Sequence, residues 1–165
     1  MERFMIPGVA GIIEKTVNGV KHILIQERFK DDAPLEEGQL EIPAGKIREF
    51  ENIYDCLRRE IKEETGLDVV EIQGETESSI LESNGYKVLS YAPFASSQNI
   101  EGVYPIMVQT FICRVDGDVL ANSSESRAIR WISLNELERL MSEECSKFYP
   151  MHVNTLKKYL AYSKD

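Results

Sequence analysis

The chain has 165 residues, 42% of them hydrophobic and 28% charged, which suits one globular domain with a sizeable core. A formal net charge of −9 excludes a nonspecific binder of nucleic-acid backbone, which needs a basic surface, but not a nucleotide whose phosphates are carried by a cation. Cys56, Cys113 and Cys145 are too few and too scattered for a disulfide framework or zinc cluster, and no signal-like or membrane-length apolar run is visible, so the cytoplasm is the expected compartment.

Two β-rich runs flank Asn18-Gly19, a strong hairpin signal, and predict strands over about 6–16 and 21–28. Residues 30–39 are polar, with Pro34 and Gly38, and read as a loop. A short strand over 40–43 leads into a turn at 43–46. Asn52 is a good N-cap, Asp55 sits at the third helical position, and Ile53, Leu57 and Ile61 form an apolar stripe. Gly66 suits a left-handed stop. A strand over 68–77 is expected next, then a second hairpin around Asn84-Gly85. Residues 93–102 read as loop, 103–115 as the most hydrophobic strand, and 127–132 as another strand. Ser133 and Glu136 make a capping box for a helix to about 144. Pro150 opens a terminal helix whose face carries Met151, Val153, Leu156 and Leu160.

The stretch 45–67 carries the chemistry. On a helix, positions 60, 63 and 64 project within about 100° of one another. Glu60, Glu63 and Glu64 therefore share one patch, where their charges repel and a hard divalent cation relieves the repulsion. The pattern is Gly45, five residues, Glu51, seven residues, Arg59-Glu60-Ile61, one residue, Glu63-Glu64, one residue, Gly66-Leu67. A solvated acidic helix face explains neither Gly45, nor Arg59, nor Gly66 at those offsets.

That spacing resembles the Nudix box at every defining position. The resemblance implies an α/β/α sandwich with a mixed sheet, in a single domain over 1–165 with its box at 45–67. It implies hydrolysis of a nucleoside diphosphate linked to a group X, using magnesium or manganese. Carried over position by position, Glu60 and Glu64 are the metal ligands and catalytic carboxylates. Glu63 is a third or water-mediated ligand, and the carbonyl of Gly45 completes the set. Arg59 orients a carboxylate through charge-assisted hydrogen bonds, and Glu51 is structural. The general base in many members is a glutamate outside the box. Glu125, six residues before Trp131, is the first choice here and Glu101 its rival.

The approach to the box, residues 40–46 with Gln26-Glu27-Arg28 before it, resembles that of ADP-ribose and ADP-sugar pyrophosphatases. Arg28 and Glu41 are the substrate-binding candidates that follow. The proline usual in that group some sixteen residues past the box is missing, since the next is Pro93. Tyr86 is roughly in register with a tyrosine of diadenosine polyphosphate hydrolases, and Phe50 stands where a glycine is common. Tyr86, Tyr91, Phe94 and Tyr104 are candidates to stack on a base. Two alternatives stay open: a housecleaning nucleoside triphosphate pyrophosphohydrolase, and a non-catalytic nucleotide-sensing module. By analogy with relatives, the partners are a small nucleotide-type substrate and a second copy of the chain.

Overall fold

A computed structural model describes residues 1–29 and 36–165. The elements in chain order are β1 (Ile6–Val17), β2 (Val20–Arg28), β3 (Leu40–Glu41), β4 (Ala44–Lys46), α1 (Ile53–Thr65), β5 (Asp68–Ile72), β6 (Ser79–Ser83) and β7 (Tyr86–Ser90). They continue with β8 (Ala95–Gln98), β9 (Ile106–Asp116), β10 (Ser126–Ser133), α2 (Leu134–Glu143) and α3 (Pro150–Tyr162).

Both expected hairpins form. Asn18 and Gly19 have φ of 50° and 77°, and Asn84 and Gly85 have 50° and 81°, the paired positive values of a tight two-residue hairpin turn. The main sheet runs β10-β2-β1-β9-β5, with β3 added on β2, β4 on β1 and β8 on β9. β1 and β9 are parallel and the other pairs antiparallel, so the sheet is mixed.

Alternation along the strands supplies two apolar faces. Ile12, Ile23 and Ile25 pack with Leu137 and Leu140 of α2 and Leu156 and Tyr159 of α3. Their neighbours Ile13 and Leu24 point the other way, onto Ile53, Leu57 and Ile61 of α1. The sheet is thus sandwiched between helices, as expected.

Several boundaries differ from the sequence reading. The strand expected over 68–77 ends at Ile72. There Glu75 N–H turns back to the Ile72 carbonyl, and Arg58 grips the Glu75 carboxylate through both Nη atoms at 2.8 and 2.5 Å. The loop expected over 93–102 contains the edge strand β8, polar and short, tied to β9 by backbone bonds and by Ser96 Oγ on Gln109 Oε1. The turn at 43–46 contains β4, which pairs with Gly8, Val9 and Ala10 of β1. Of the loop expected over 30–39, residues 30–35 with Pro34 lie outside the described residues.

Candidate active site

α1 is fixed at both ends by its own sequence. Asn52 Oδ1 accepts from Tyr54 N–H at 2.9 Å, and Gly66 stops the helix at φ 79°. With Ile53, Leu57 and Ile61 buried against the sheet, the flank carrying Arg59, Glu60, Glu63 and Glu64 faces β2, β3 and β4 or solvent.

Glu60 lies directly on the backbone of Gly45. A Cβ placed on Gly45 would stand 1.9 Å from the Glu60 carboxyl carbon and 2.3 Å from each of its oxygens. Only glycine leaves that space. Arg59 Nη1 donates to Glu60 Oε1 at 2.6 Å and lies 3.5 Å from Glu63 Oε2. The same guanidinium grips Glu51 with two parallel bonds, Nε to Oε1 at 2.8 Å and Nη2 to Oε2 at 2.9 Å. Glu51 also accepts from Arg48 N–H at 3.0 Å. Arg59 beside it holds the Glu51 carboxyl down at about 2, and Glu51 in turn raises the Arg59 pKa. The expected orienting arginine and structural glutamate therefore meet.

Burial pushes the Glu60 carboxyl up, Arg59 opposes this, and the charges of Glu63 and then Glu125 push the same way as burial. Glu125 thus lies within electrostatic reach of the box, although 65 positions separate it from Glu60 in the sequence. It is exposed at the start of β10, where its carbonyl accepts from Phe29 N–H at 2.9 Å. Glu101, the rival, is exposed in the turn after β8, with its N–H on Asn99 Oδ1 at 3.3 Å, and it is not among the leading influences on Glu60.

Glu64 turns toward the sheet and is buried. Its Oε2 accepts from Gln26 Nε2 at 3.0 Å and from Ala44 N–H at 3.1 Å. Glu63 is the outermost of the three, with 57% of its side chain exposed. Among the described residues no three His, Cys, Asp or Glu side chains are gathered to hold a metal by themselves. The donor set still fits a hard divalent cation, because magnesium takes one or two carboxylates and completes its shell with water and substrate phosphate. The missing Cβ at Gly45 lets the Glu60 carboxylate lie against the backbone of the loop before α1.

Arg28 and Glu41 meet each other. Arg28 Nη1 donates to Glu41 Oε2 at 2.8 Å, and both residues are buried. Burial works against the Arg28 charge, but Glu41, Tyr149 and Glu36 together outweigh it and the pKa is raised. The guanidinium also lies 4.4 Å over the Tyr149 ring and 2.8 Å from Glu36. Of the candidate stacking aromatics, Tyr91 packs on Tyr54 and Phe111, and Phe94 on Tyr159 and Tyr162. Tyr86 is largely exposed on β7, and Tyr104 lies 5.3 Å beneath Lys46 Nζ.

Sequence reasoning missed the part played by Gln26. Little signal was available: Leu24, Gln26 and Arg28 share a face of β2 with His22, which reads as a mostly polar side, and the full burial of Gln26 appears only in the fold. Phe50 has φ 59° with its side chain fully exposed, which supplies the backbone reason why a glycine suits that position.

The family profile described as "NUDIX domain" matches residues 6–151. The chain belongs to the Nudix family. Membership makes it a pyrophosphohydrolase in class, and Nudix hydrolases generally use divalent metal ions. Solved Nudix structures share its fold. The MutT protein from Methanosarcina mazei Go1 is 20% identical over 100% of this chain and 99% of its own, with a TM-score of 0.62. The NUDIX domain of Shewanella oneidensis NrtR, complexed with ADP ribose, is 11% identical over 99% and 90%, with a TM-score of 0.65. A C. elegans Ap4A hydrolase is 14% identical over 96% and 98%, with a TM-score of 0.57. No curated protein sequence matches the chain significantly. No helix among the described residues is long and apolar enough to cross a membrane.

Proposed function

We propose that this chain hydrolyses a diphosphate linkage in a nucleoside diphosphate bonded to a second group, with magnesium or manganese held by Glu60, Glu63, Glu64 and the Gly45 carbonyl. The observation that carries the reading is the Glu60 carboxylate lodged between the Arg59 guanidinium and the bare Cα of Gly45. A bound divalent cation neutralises phosphate oxygens and lowers the pKa of its water.

The chain's own groups do the rest. Arg59 fixes the Glu60 carboxylate, with Glu51 bracing the guanidinium from behind. Gln26 and the Ala44 N–H fix Glu64. Glu125 takes the proton of the attacking water on a carboxylate oxygen, and its reach to Glu60 supports that role over Glu101. One diphosphate P–O bond breaks as the water oxygen bonds to phosphorus, so both products carry phosphate.

A nucleotide-sugar of the ADP-ribose kind is the favoured substrate. The 40–46 segment supports it, as does the overall likeness to a domain complexed with ADP ribose. We place the protein in the cytoplasm as one catalytic domain over its 165 residues; its three free cysteines suit a reducing compartment.

The test is a panel of nucleoside diphosphate-X compounds and nucleoside triphosphates, with magnesium or manganese and product identification. Two monophosphates from the first class support the proposal. Pyrophosphate released from triphosphates alone redirects it to housecleaning, and nucleotide binding without turnover redirects it to a sensor.

A further inference from the structure

Gln26 is fully buried on the strand face that looks toward α1. Its Nε2 lies 3.0 Å from Glu64 Oε2 and 3.2 Å from Glu41 Oε1, so the two N–H bonds of one amide serve two carboxylates. The orientation of the amide is decided by charge. Turned over, its oxygen would face two carboxylates; as placed, Oε1 is buried with no hydrogen-bond partner among the described residues. Gln26 thus forgoes its own acceptor bond while its amide donates to two carboxylates, a conflict that favours position over stability.

The bonds continue outward. Glu41 accepts from Arg28 at 2.8 Å through its other oxygen, and Arg28 lies over Tyr149 and against Glu36. Arg28 is only 8% exposed and its charge already faces two carboxylates, which leaves it little surface for a ligand.

We propose that Gln26 is a positioning residue for Glu64, and that Glu41 and Arg28 act behind it as its supports rather than on the substrate. The inference rests on the reading of Glu64 as a ligand of the divalent cation. The amide fixes the carboxylate before an ion arrives, as groups behind a metal ligand do elsewhere. Without it, two carboxylates lose the donor they share, and Glu64 is left with the Ala44 N–H as the weaker guide to its orientation.

The experiment uses the full chain without nucleotide and measures Mn2+ affinity from the electron paramagnetic resonance signal of the free ion. Gln26→Met keeps the length of the side chain and removes its donor. The expected result is about tenfold weaker Mn2+ binding, and in turnover a lower kcat at sub-saturating metal that recovers as Mn2+ is raised. Glu64→Gln serves as the control. Weaker binding in Glu64→Gln but wild-type affinity in Gln26→Met overturns the positioning role alone. Unchanged affinity in both overturns the reading of Glu64 as well. Should Gln26→Met fail to fold, the wild-type protein decides: the assigned Gln26 side-chain amide resonance must shift on saturation with Mg2+, and an unmoved resonance overturns the inference.

Discussion

Gly45→Ala separates the site from the fold. The glycine is not in a left-handed conformation, so alanine suits its backbone. The added methyl would lie 1.9 Å from the Glu60 carboxyl carbon, where ordinary contact begins near 3.4 Å. The carboxylate must therefore retreat by about 1.5 Å. That movement breaks the 2.6 Å bond from Arg59 Nη1 but leaves the buried stripe of α1 untouched. The obstructing atoms end a flexible side chain, so stability should change by less than about 1 kcal/mol. A displacement of this size in a catalytic group costs roughly 10²-fold in rate. Urea denaturation and steady-state hydrolysis with Mg2+ measure the two effects on one preparation. Wild-type turnover in a folded Gly45→Ala protein would refute the placement of Glu60. A large loss of stability would show that Gly45 serves the fold instead.

Three further outcomes are expected. Arg59→Met should cost about 1–3 kcal/mol near pH 7, between the values for exposed and buried pairs. Because Glu51 is depressed from 4.5 to about 2 in the folded protein, its stabilisation is complete above pH 4.5 and lost as pH falls toward 2. The wild-type minus variant difference in urea unfolding should shrink over that window, and a constant difference contradicts the Arg59–Glu51 assignment. Phe50→Gly should stabilise by roughly 0.5–1 kcal/mol, since relief of a left-handed φ outweighs the added freedom of the unfolded chain and the exposed ring makes little contact. A lower urea midpoint would show that the ring contributes to the fold. Glu125→Gln should slow hydrolysis by roughly 10²–10⁴-fold while Glu101→Gln leaves it unchanged, and the reverse ranking in turnover would transfer the base to Glu101.

What the sequence revealed was mostly short in range. The caps of α1, its apolar stripe, the two Asn-Gly turns and the offsets from Gly45 to Leu67 are each set within one turn or one segment. β8 escaped because an edge strand with one paired side needs no apolar alternation, and ASSQ shows none. The end of β5 escaped because it depends on Arg58 reaching Glu75, a tertiary contact. Arg28 and Glu41 were found as residues but not as a pair, since the β2–β3 register that joins them cannot be read from either strand. The nearness of Glu125 to the box likewise follows from β10 pairing with β2, across a register shift between Arg127 and Arg130.

That division of range also explains how neighbouring carboxylates coexist on one helix. Glu60 and Glu64 stand four apart, a spacing at which like charges destabilise a helix by a few tenths of a kcal/mol. The structure gives each its own donors. Glu60 is held by Arg59, adjacent in the chain, which is braced by Glu51 within the box. Glu64 is held by Gln26 and the Ala44 N–H, on strands that precede the helix. The box can therefore orient the first carboxylate from within, but the second is set only when the sheet has formed and α1 has packed on it. A peptide carrying residues 45–67 alone lacks every one of those donors to Glu64. Conservative changes in β2 should for that reason reach the proposed metal site through Glu64 and leave the Arg59–Glu60 contact unaltered.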